Sequence, residues 1–250
     1  EHMIRSIHQV LLSFGRGADK TPGLYKTEQN YVVDRTKRNV MFVPIKPYAL
    51  QQGMSDLLNY IHNNDEQILI KTAIANLEFE ALHPFKDGNG RVGRMLITLM
   101  LWRSGVISAP HFYISGYLEE RKDEYISLMK NVSQAAQWTP WCKFFLKAVE
   151  AQAIRNLETA NQISTLYETM KSIFSDTLAS KYSINALDFI FSNPVFRSTR
   201  FRTRSGIPSA SARKFLPVLV QKEIIQIIEQ GSGSRPSLYR FEPMMELVRV

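Results

Sequence analysis

The feature that most constrains this chain is a twelve-residue run between two apolar stretches: His83-Pro84-Phe85-Lys86-Asp87-Gly88-Asn89-Gly90-Arg91-Val92-Gly93-Arg94. Upstream, Ile70, Ile74, Leu77 and Leu82 fall near helical spacing, which predicts a helix over 70–82. Pro84 ends it, because a proline disfavours helical geometry at the residue before it. His83 therefore stands at a helix end and leads into a loop. Gly88 and Gly90 let that loop turn tightly and bring its backbone close to a ligand. A second helix is predicted from Arg91 to Trp102. Met95, Leu96, Ile97, Leu99, Met100 and Leu101 make it apolar enough to expect burial at a domain centre.

The chemistry follows from that arrangement. A glycine-rich loop entering a helix start presents free backbone N–H groups and the positive end of the helix dipole, which suits phosphate. Arg91 and Arg94 are three residues apart and reach the same side of the helix start. Guanidinium forks grip phosphate oxygens in pairs. Asp87 is a hard oxygen ligand that could hold Mg²⁺ against the same phosphates. His83 has the side chain whose ordinary pKa suits proton abstraction near neutral pH. The bland alternative is a helix–loop–helix with solvated arginines. A base, a carboxylate, two glycines, an asparagine and two arginines within one short run favour a phosphate site with a general base beside it.

The run resembles the Fic family motif, His-x-Phe-x-(Asp/Glu)-Gly-Asn-Gly-Arg-x-x-Arg, at every fixed position. Flanking segments are similar to the same family: residues 7–12, Gly15-Arg16-Gly17 with Thr21-Pro22-Gly23, Phe42-Val43-Pro44, and Tyr117-Leu118 ahead of Arg121 and Tyr125. The resemblance runs from Ile4 to Ser175 or so and implies a mainly α fold, a Fic helical core with a small β-hairpin flap. It further implies transfer of AMP from ATP to a protein hydroxyl. A sister family of phosphotransferases lacks the Gly-Asn-Gly-Arg form, so Gly88 and Arg91 favour adenylyl transfer. On this resemblance His83 is the catalytic base and Asp87 the Mg²⁺ ligand. The amides of Gly88, Asn89 and Gly90 form an anion hole. Arg94 binds the outer phosphates and Arg91 braces the loop. Tyr125 belongs to the adenine pocket. Asn39, Val40, Met41 and Phe42 line the nucleotide and target groove, where the flap over residues 31–43 pairs with the target as an added strand.

The remaining segments are read from their own pattern. Residues 4–14 form an amphipathic helix on Ile4, Ile7, Leu11 and Phe14. Weak alternation in residues 29–43, around the charged turn 34–39, predicts a β-hairpin, closed by Pro44 and Pro47. Helices are expected over 54–62, 117–132, 139–160 and 162–180. Many Fic proteins carry an inhibitory (Ser/Thr)-x-x-x-Glu-(Gly/Asn) helix. No such motif precedes Ile4, and Ser164-x-x-x-Glu168 is followed by Thr169, so Arg94 is expected to be free for the γ-phosphate. The single cysteine, Cys142, excludes an intramolecular disulfide and fits a reducing cytoplasm. A buried structural thiol is the expected role. No apolar run is long enough to span a bilayer. The net charge of +8 hints at an acidic partner.

After a boundary at Lys181-Tyr182-Ser183 the chain changes character. Arg197, Arg200, Arg202, Arg204, Arg213, Lys214 and Lys222 follow with no acid between Ser192 and Lys222. Gly206-Ile207-Pro208-Ser209 reads as the turn of a helix-turn-helix with residues 210–221 as its second helix. Residues 224–228 and 237–241 read as a two-stranded wing. This resembles the winged-helix module often joined to Fic domains, giving domains at 1–180 and 181–250. Such a module implies DNA as a possible partner. Pro217 inside the second helix argues against groove insertion, and protein docking or dimerisation is the alternative. The whole reads as a bacterial-type, cytoplasmic adenylyltransferase acting on a Ser, Thr or Tyr hydroxyl. Its rivals are a nucleotide-sensing DNA-binding regulator and a de-adenylylating enzyme using the same site.

Overall fold

The computed structural model describes residues 1–13, 17–33, 38–112, 114–233 and 235–249. Phe14, Gly15, Arg16 and residues 34–37 of the hairpin turn lie outside the described residues. The chain is mainly α-helical and falls into two compact units, Glu1–Ile154 and Arg155–Val250.

The first unit opens with α1 (His2–Leu12), which buries Ile4, His8 and Leu12. Strands β1 (Val32–Val33) and β2 (Val40–Phe42) pair antiparallel, with Val32 opposite Phe42 and Val33 opposite Val40. Helix α2 (Pro47–Asn63) begins on Pro47, whose fixed φ and missing N–H suit a first helical position. Helices α3 (Ile68–Leu82) and α4 (Asn89–Arg103) flank the central loop. Then come α5 (Ser115–Glu120), α6 (Lys122–Ala135) and the first part of α7 (Trp138–Leu178).

Helix α3 holds the centre, because two cores meet on it. Ala73 and Leu77 join Ile97, Leu101, Met129, Trp141 and Phe145 on one side. Ala75, Phe79 and Leu82 join Met54, Leu57, Phe85 and Val92 on the other. Trp141 Nε1 donates to the Ala73 carbonyl at 2.8 Å and ties α7 to α3. Helix α4 is expected at a domain centre, and its Val92, Leu96, Ile97 and Leu101 are buried there, but it is not enclosed on every side. Met95 is 37% and Trp102 48% exposed, so α4 has an outer face and α3 is the more enclosed helix.

Two expected boundaries also change. The helix expected over 117–132 is two helices, because Arg121 leaves helical geometry at φ −115° and ψ 33°. Its guanidinium lies 4.8 Å from the Tyr117 ring centre. The two helices expected over 139–160 and 162–180 are the single helix α7. From Trp141 to Leu178 the chain holds no glycine or proline, and polar residues alone do not interrupt a helix. Glu168 is exposed on α7 and pairs with Lys171 at 2.8 Å.

In the second unit the later part of α7 packs Phe174 against α8 (Ser183–Ser192). Lys181 and Tyr182 form the turn between them. Strand β3 (Val195–Arg197) leads to α9 (Ser198–Arg204), α10 (Ser209–Gln221), β4 (Gln226–Glu229), β5 (Leu238–Arg240) and α11 (Glu242–Val248). The three strands form an antiparallel sheet in the order β3–β5–β4. Phe196, Phe201 and Phe241 are fully enclosed, and α10 runs through Pro217 as one helix. No described helix is long and apolar enough to cross a membrane.

Candidate active site

The loop between α3 and α4 is held by hydrogen bonds to its carbonyls. Helix α3 ends at His83, whose backbone is left-handed (φ 44°, ψ 61°). That conformation costs a non-glycine residue about 1–2 kcal/mol, so something must fix it. The segment before β1 does. Lys26 Nζ donates to the Leu82 carbonyl at 3.0 Å, and the Lys26 backbone N–H donates to the Pro84 carbonyl at 2.8 Å. Asn30 Nδ2 donates to the carbonyls of His83 at 3.1 Å and Phe85 at 2.9 Å. Four consecutive carbonyls, 82 to 85, are thereby satisfied from one short segment.

Asn89 closes the loop from the other side. Its Oδ1 accepts from the Phe85 N–H at 2.8 Å, and its Nδ2 donates to the Phe85 carbonyl at 2.7 Å. His8 lies flat on the Phe85 ring, centroids 3.7 Å apart. The Gly23 N–H donates to His8 Nδ1 at 2.8 Å. Neutral His8 therefore carries its proton on Nε2 and donates it to the Asp87 carbonyl at 2.9 Å. Burial holds the His8 pKa below its ordinary value, in keeping with a neutral ring.

Gly88 starts α4 with a φ of 83°, and no side chain caps the helix. The first N–H groups of α4 are left to a ligand. They open on a cleft of about 680 Å³ lined by His83, Asp87, Gly88, Asn89, Gly90, Arg91, Arg94 and Tyr125. Asp87 Oδ1 accepts from the Gly88 N–H at 2.7 Å, and Asp87 Oδ2 lies 4.0 Å from Arg91 Nη2. Arg94 is largely buried. Its Nε has no hydrogen-bond partner, and its Nη1 sits 3.8 Å from Glu119 Oε1. An arginine with an unpaired buried donor at a phosphate-type helix start is well placed for an anionic ligand.

Burial, reinforced by the Lys26 cation, pushes the His83 pKa down to about 4. The Glu80 main-chain carbonyl and the Asp87 carboxylate push the other way. His83 is thus neutral near pH 7, with a lone pair to accept a proton. Its Nδ1 is buried without a hydrogen-bond partner and faces Glu80 Oε2 at 3.8 Å. Burial lifts the Glu80 carboxyl to about 7, against the pull of Arg94. Burial also lowers the Lys26 ammonium to about 8. The Tyr125 hydroxyl is pushed well above its ordinary value by burial, and its ring meets Trp141 edge-on at 5.3 Å.

All the residues expected from the central run, together with Tyr125, line this one cleft. The hairpin contributes Tyr31 and Val32 to it. Val40, Met41 and Phe42 line a separate groove of about 300 Å³ with Val43 and the α6 residues Lys130, Ser133 and Gln134. Asn39 is exposed just before β2. Sequence reasoning missed Glu80, the Lys26–Asn30 clamp, His8, and the wall made by Leu118, Ile126 and Met129. For Glu80 the signal was an acid one turn before His83, in a helix that also carries Glu78. The rest depend on contacts between distant segments. Among the described residues no three His, Cys, Asp or Glu side chains gather as a metal cluster. Asp87 alone fits a Mg²⁺ that draws its other oxygens from phosphates and water.

This is a helical domain built around an uncapped helix start, two arginines and a neutral histidine. Residues 1–101 match the model of the Fic/DOC family. It is 31% identical over 157 residues to the protein adenylyltransferase fic-1 of Caenorhabditis elegans, covering 61% of this chain and 27% of that one. It is 27% identical over 167 residues to the protein adenylyltransferase Fic of Nematostella vectensis, covering 66% and 34%. The chain thus spans between a quarter and about a third of the length of these relatives. A Fic family protein from Desulfovibrio desulfuricans G20 shares the fold with a TM-score of 0.56 at 21% identity, covering 96% of this chain and 68% of that one.

Proposed function

We propose that this chain is a protein adenylyltransferase that moves AMP from ATP to a Ser, Thr or Tyr hydroxyl of a target protein. The observation that carries the reading is a neutral, left-handed His83 beside the uncapped start of α4. The target hydroxyl gives its proton to His83 as its oxygen attacks the α-phosphate. A bond forms between that oxygen and the α-phosphorus, the bond to the β-phosphate bridge breaks, and pyrophosphate leaves. The amides of Gly88, Asn89 and Gly90 take the charge that develops on the α-phosphate. Arg94 holds the outer phosphates and Arg91 braces the loop through Asp87. Tyr125, Ile126 and Met129 form the wall against which the adenine lies. A Mg²⁺ held by Asp87 would neutralise the phosphates as pyrophosphate departs.

The flap over residues 31–43 is the proposed docking edge for the target, and the groove lined by Val40, Met41 and Phe42 beside β2 supports that reading. We place the enzyme in a bacterial-type, reducing cytoplasm, in keeping with one unpaired cysteine. The element order α8–β3–α9–α10–β4–β5, with a three-stranded sheet, supports a winged-helix reading for residues 181–250 beside a Fic domain over 1–180. The basic side chains of α9 and α10 are what a DNA-binding role for it would use.

Label transfer from α-labelled ATP to protein tests the activity. His83→Ala should keep ATP binding and lose transfer by about a hundredfold or more, the usual worth of a general base. A nucleotide sensor would give no label from the start. Equal labelling by wild type and variant would refute the role of His83.

A further inference from the structure

Glu80 is a buried acid with no part in the mechanism above. It is 8% exposed, it lines the ATP cleft, and it stands between His83 and Arg94. Its place is built by the facing helix. A methyl group on Gly93 of α4 would come within 2.6 Å of Glu80 Oε1 and 3.2 Å of the Phe79 ring. A methyl group on Gly90 would meet Arg94 Nη1 at 3.2 Å and Glu80 Oε1 at 3.8 Å. Two glycines therefore leave a bare strip on α4, and the Glu80 carboxylate and the Arg94 guanidinium lie over it. On its other side the carboxylate faces the orphaned His83 Nδ1. A buried carboxylate without close partners costs several kcal/mol unless it is neutral or meets a cation during its working cycle.

We infer that Glu80 is a positioning residue for the proposed adenylyl transfer: it holds His83 with Nδ1–H turned inward, leaves Nε2 to the target hydroxyl, and balances the imidazolium that forms. The inference rests on the adenylyl-transfer reading of the same cleft. The target's proton goes to Nε2, the Nδ1–H is shared with the Glu80 carboxylate, and no proton passes on to Glu80. The present 3.8 Å gap closes by about 1 Å to reach hydrogen-bond distance, a tightening common when a site fills with ligand. The competing orienter is the Glu80 main-chain carbonyl, which also attracts the His83 ring. Substitutions of the side chain leave that carbonyl in place, so the two can be told apart.

Ionised Glu80 is the working form, so transfer depends on its titration. The charged and titratable groups that face it are Arg94 from α4, His83 at the end of its own helix and Tyr125 from α6. Lys26 faces His83 from the segment before β1, and Glu119 faces Arg94 from α5. Full-length wild type, Glu80→Gln, Glu80→Ala and His83→Ala are compared in two measurements. The first is label transfer from α-labelled ATP between pH 6 and about 8.5, with ATP affinity measured alongside. Wild-type transfer rises through about pH 7, where the Glu80 carboxyl ionises. In both Glu80 variants it is lower by about ten- to a hundredfold, the scale of general-base effects, and that rise is gone while ATP affinity changes by less than a few fold. The second is nitrogen-15 NMR of the His83 ring at pH 8, assigned with His83→Ala. Wild type shows the Nδ1–H tautomer, and Glu80→Ala moves the population toward Nε2–H. An unchanged tautomer together with an unchanged transfer profile would overturn the inference and give the role to the main-chain carbonyl. Wild type that transfers no label defeats the adenylyl reading instead, and the tautomer still decides the placement of His83 by Glu80.

Discussion

Folding moves a proton between two neighbours. In an unfolded chain near pH 5.5, His83 is largely protonated and Glu80 largely ionised, since their ordinary values are 6.5 and 4.5. In the fold the values stand at about 4 for His83 and about 7 for Glu80, so the histidine is neutral and the acid protonated. For His83 the unfolded chain binds more protons, and the stability it allows is lost as pH falls from 6.5 towards 4. For Glu80 the folded chain binds more, and stability is lost as pH rises from 4.5 towards 7. At about 1.4 kcal/mol per tenfold change in proton affinity, each effect is of order 3 kcal/mol, and the two oppose each other over the shared window. The pair therefore contributes almost no slope between pH 4.5 and 6.5. Glu80→Gln removes one arm. Relative to wild type, its stability should climb by about 3 kcal/mol across that window. His83→Gln removes the other, and its stability relative to wild type should fall by a similar amount between pH 4 and 6.5. The assay is urea unfolding at several pH values followed by tryptophan fluorescence. All three tryptophans, Trp102, Trp138 and Trp141, lie in the first unit, so the signal reports the unit that holds the site. Parallel pH curves for wild type and both variants would refute the argument.

Asn89→Ala removes both bonds that close the loop and leaves the buried Phe85 N–H unpaired. It should cost about 2–4 kcal/mol in the same fluorescence assay, and a loss under about 0.5 kcal/mol would contradict it. Asp87→Ala should keep the fold and weaken Mg²⁺-dependent ATP binding, and identical Mg²⁺ titrations in both proteins would remove Asp87 from the metal role. Glu119→Ala frees Arg94 from an exposed neighbour at 3.8 Å. It should tighten ATP binding by no more than about fivefold, the scale of a surface ion pair, and weaker binding would show that Glu119 assists the nucleotide.

The loop was legible because its constraints are local. Pro84 ends α3 wherever the rest of the chain goes, and Gly88 opens α4 because its φ of 83° suits a residue without a side chain. The helix boundaries that shifted were those with no such punctuation. Nothing near Ala160 breaks α7, and the break at Arg121 involves neither glycine nor proline.

What sequence spacing does not reveal is how distant segments share a carbonyl or a face. The left-handed His83 needs partners for the carbonyls around it, and these come from Lys26 and Asn30, more than fifty residues away. The same holds across the helix pair. Gly93 reads as filler between Arg91 and Arg94, and Glu80 reads as a stray acid in α3. Each makes sense only against the other, since any side chain at Gly93 would strike the Glu80 carboxylate. That fit sets the acid beside both the histidine and the arginine. The bare strip on α4 therefore belongs to the chemistry of the cleft as much as to the packing of two helices. An alanine at Gly93 should disturb His83 and Arg94 together, although it touches neither group's reactive end.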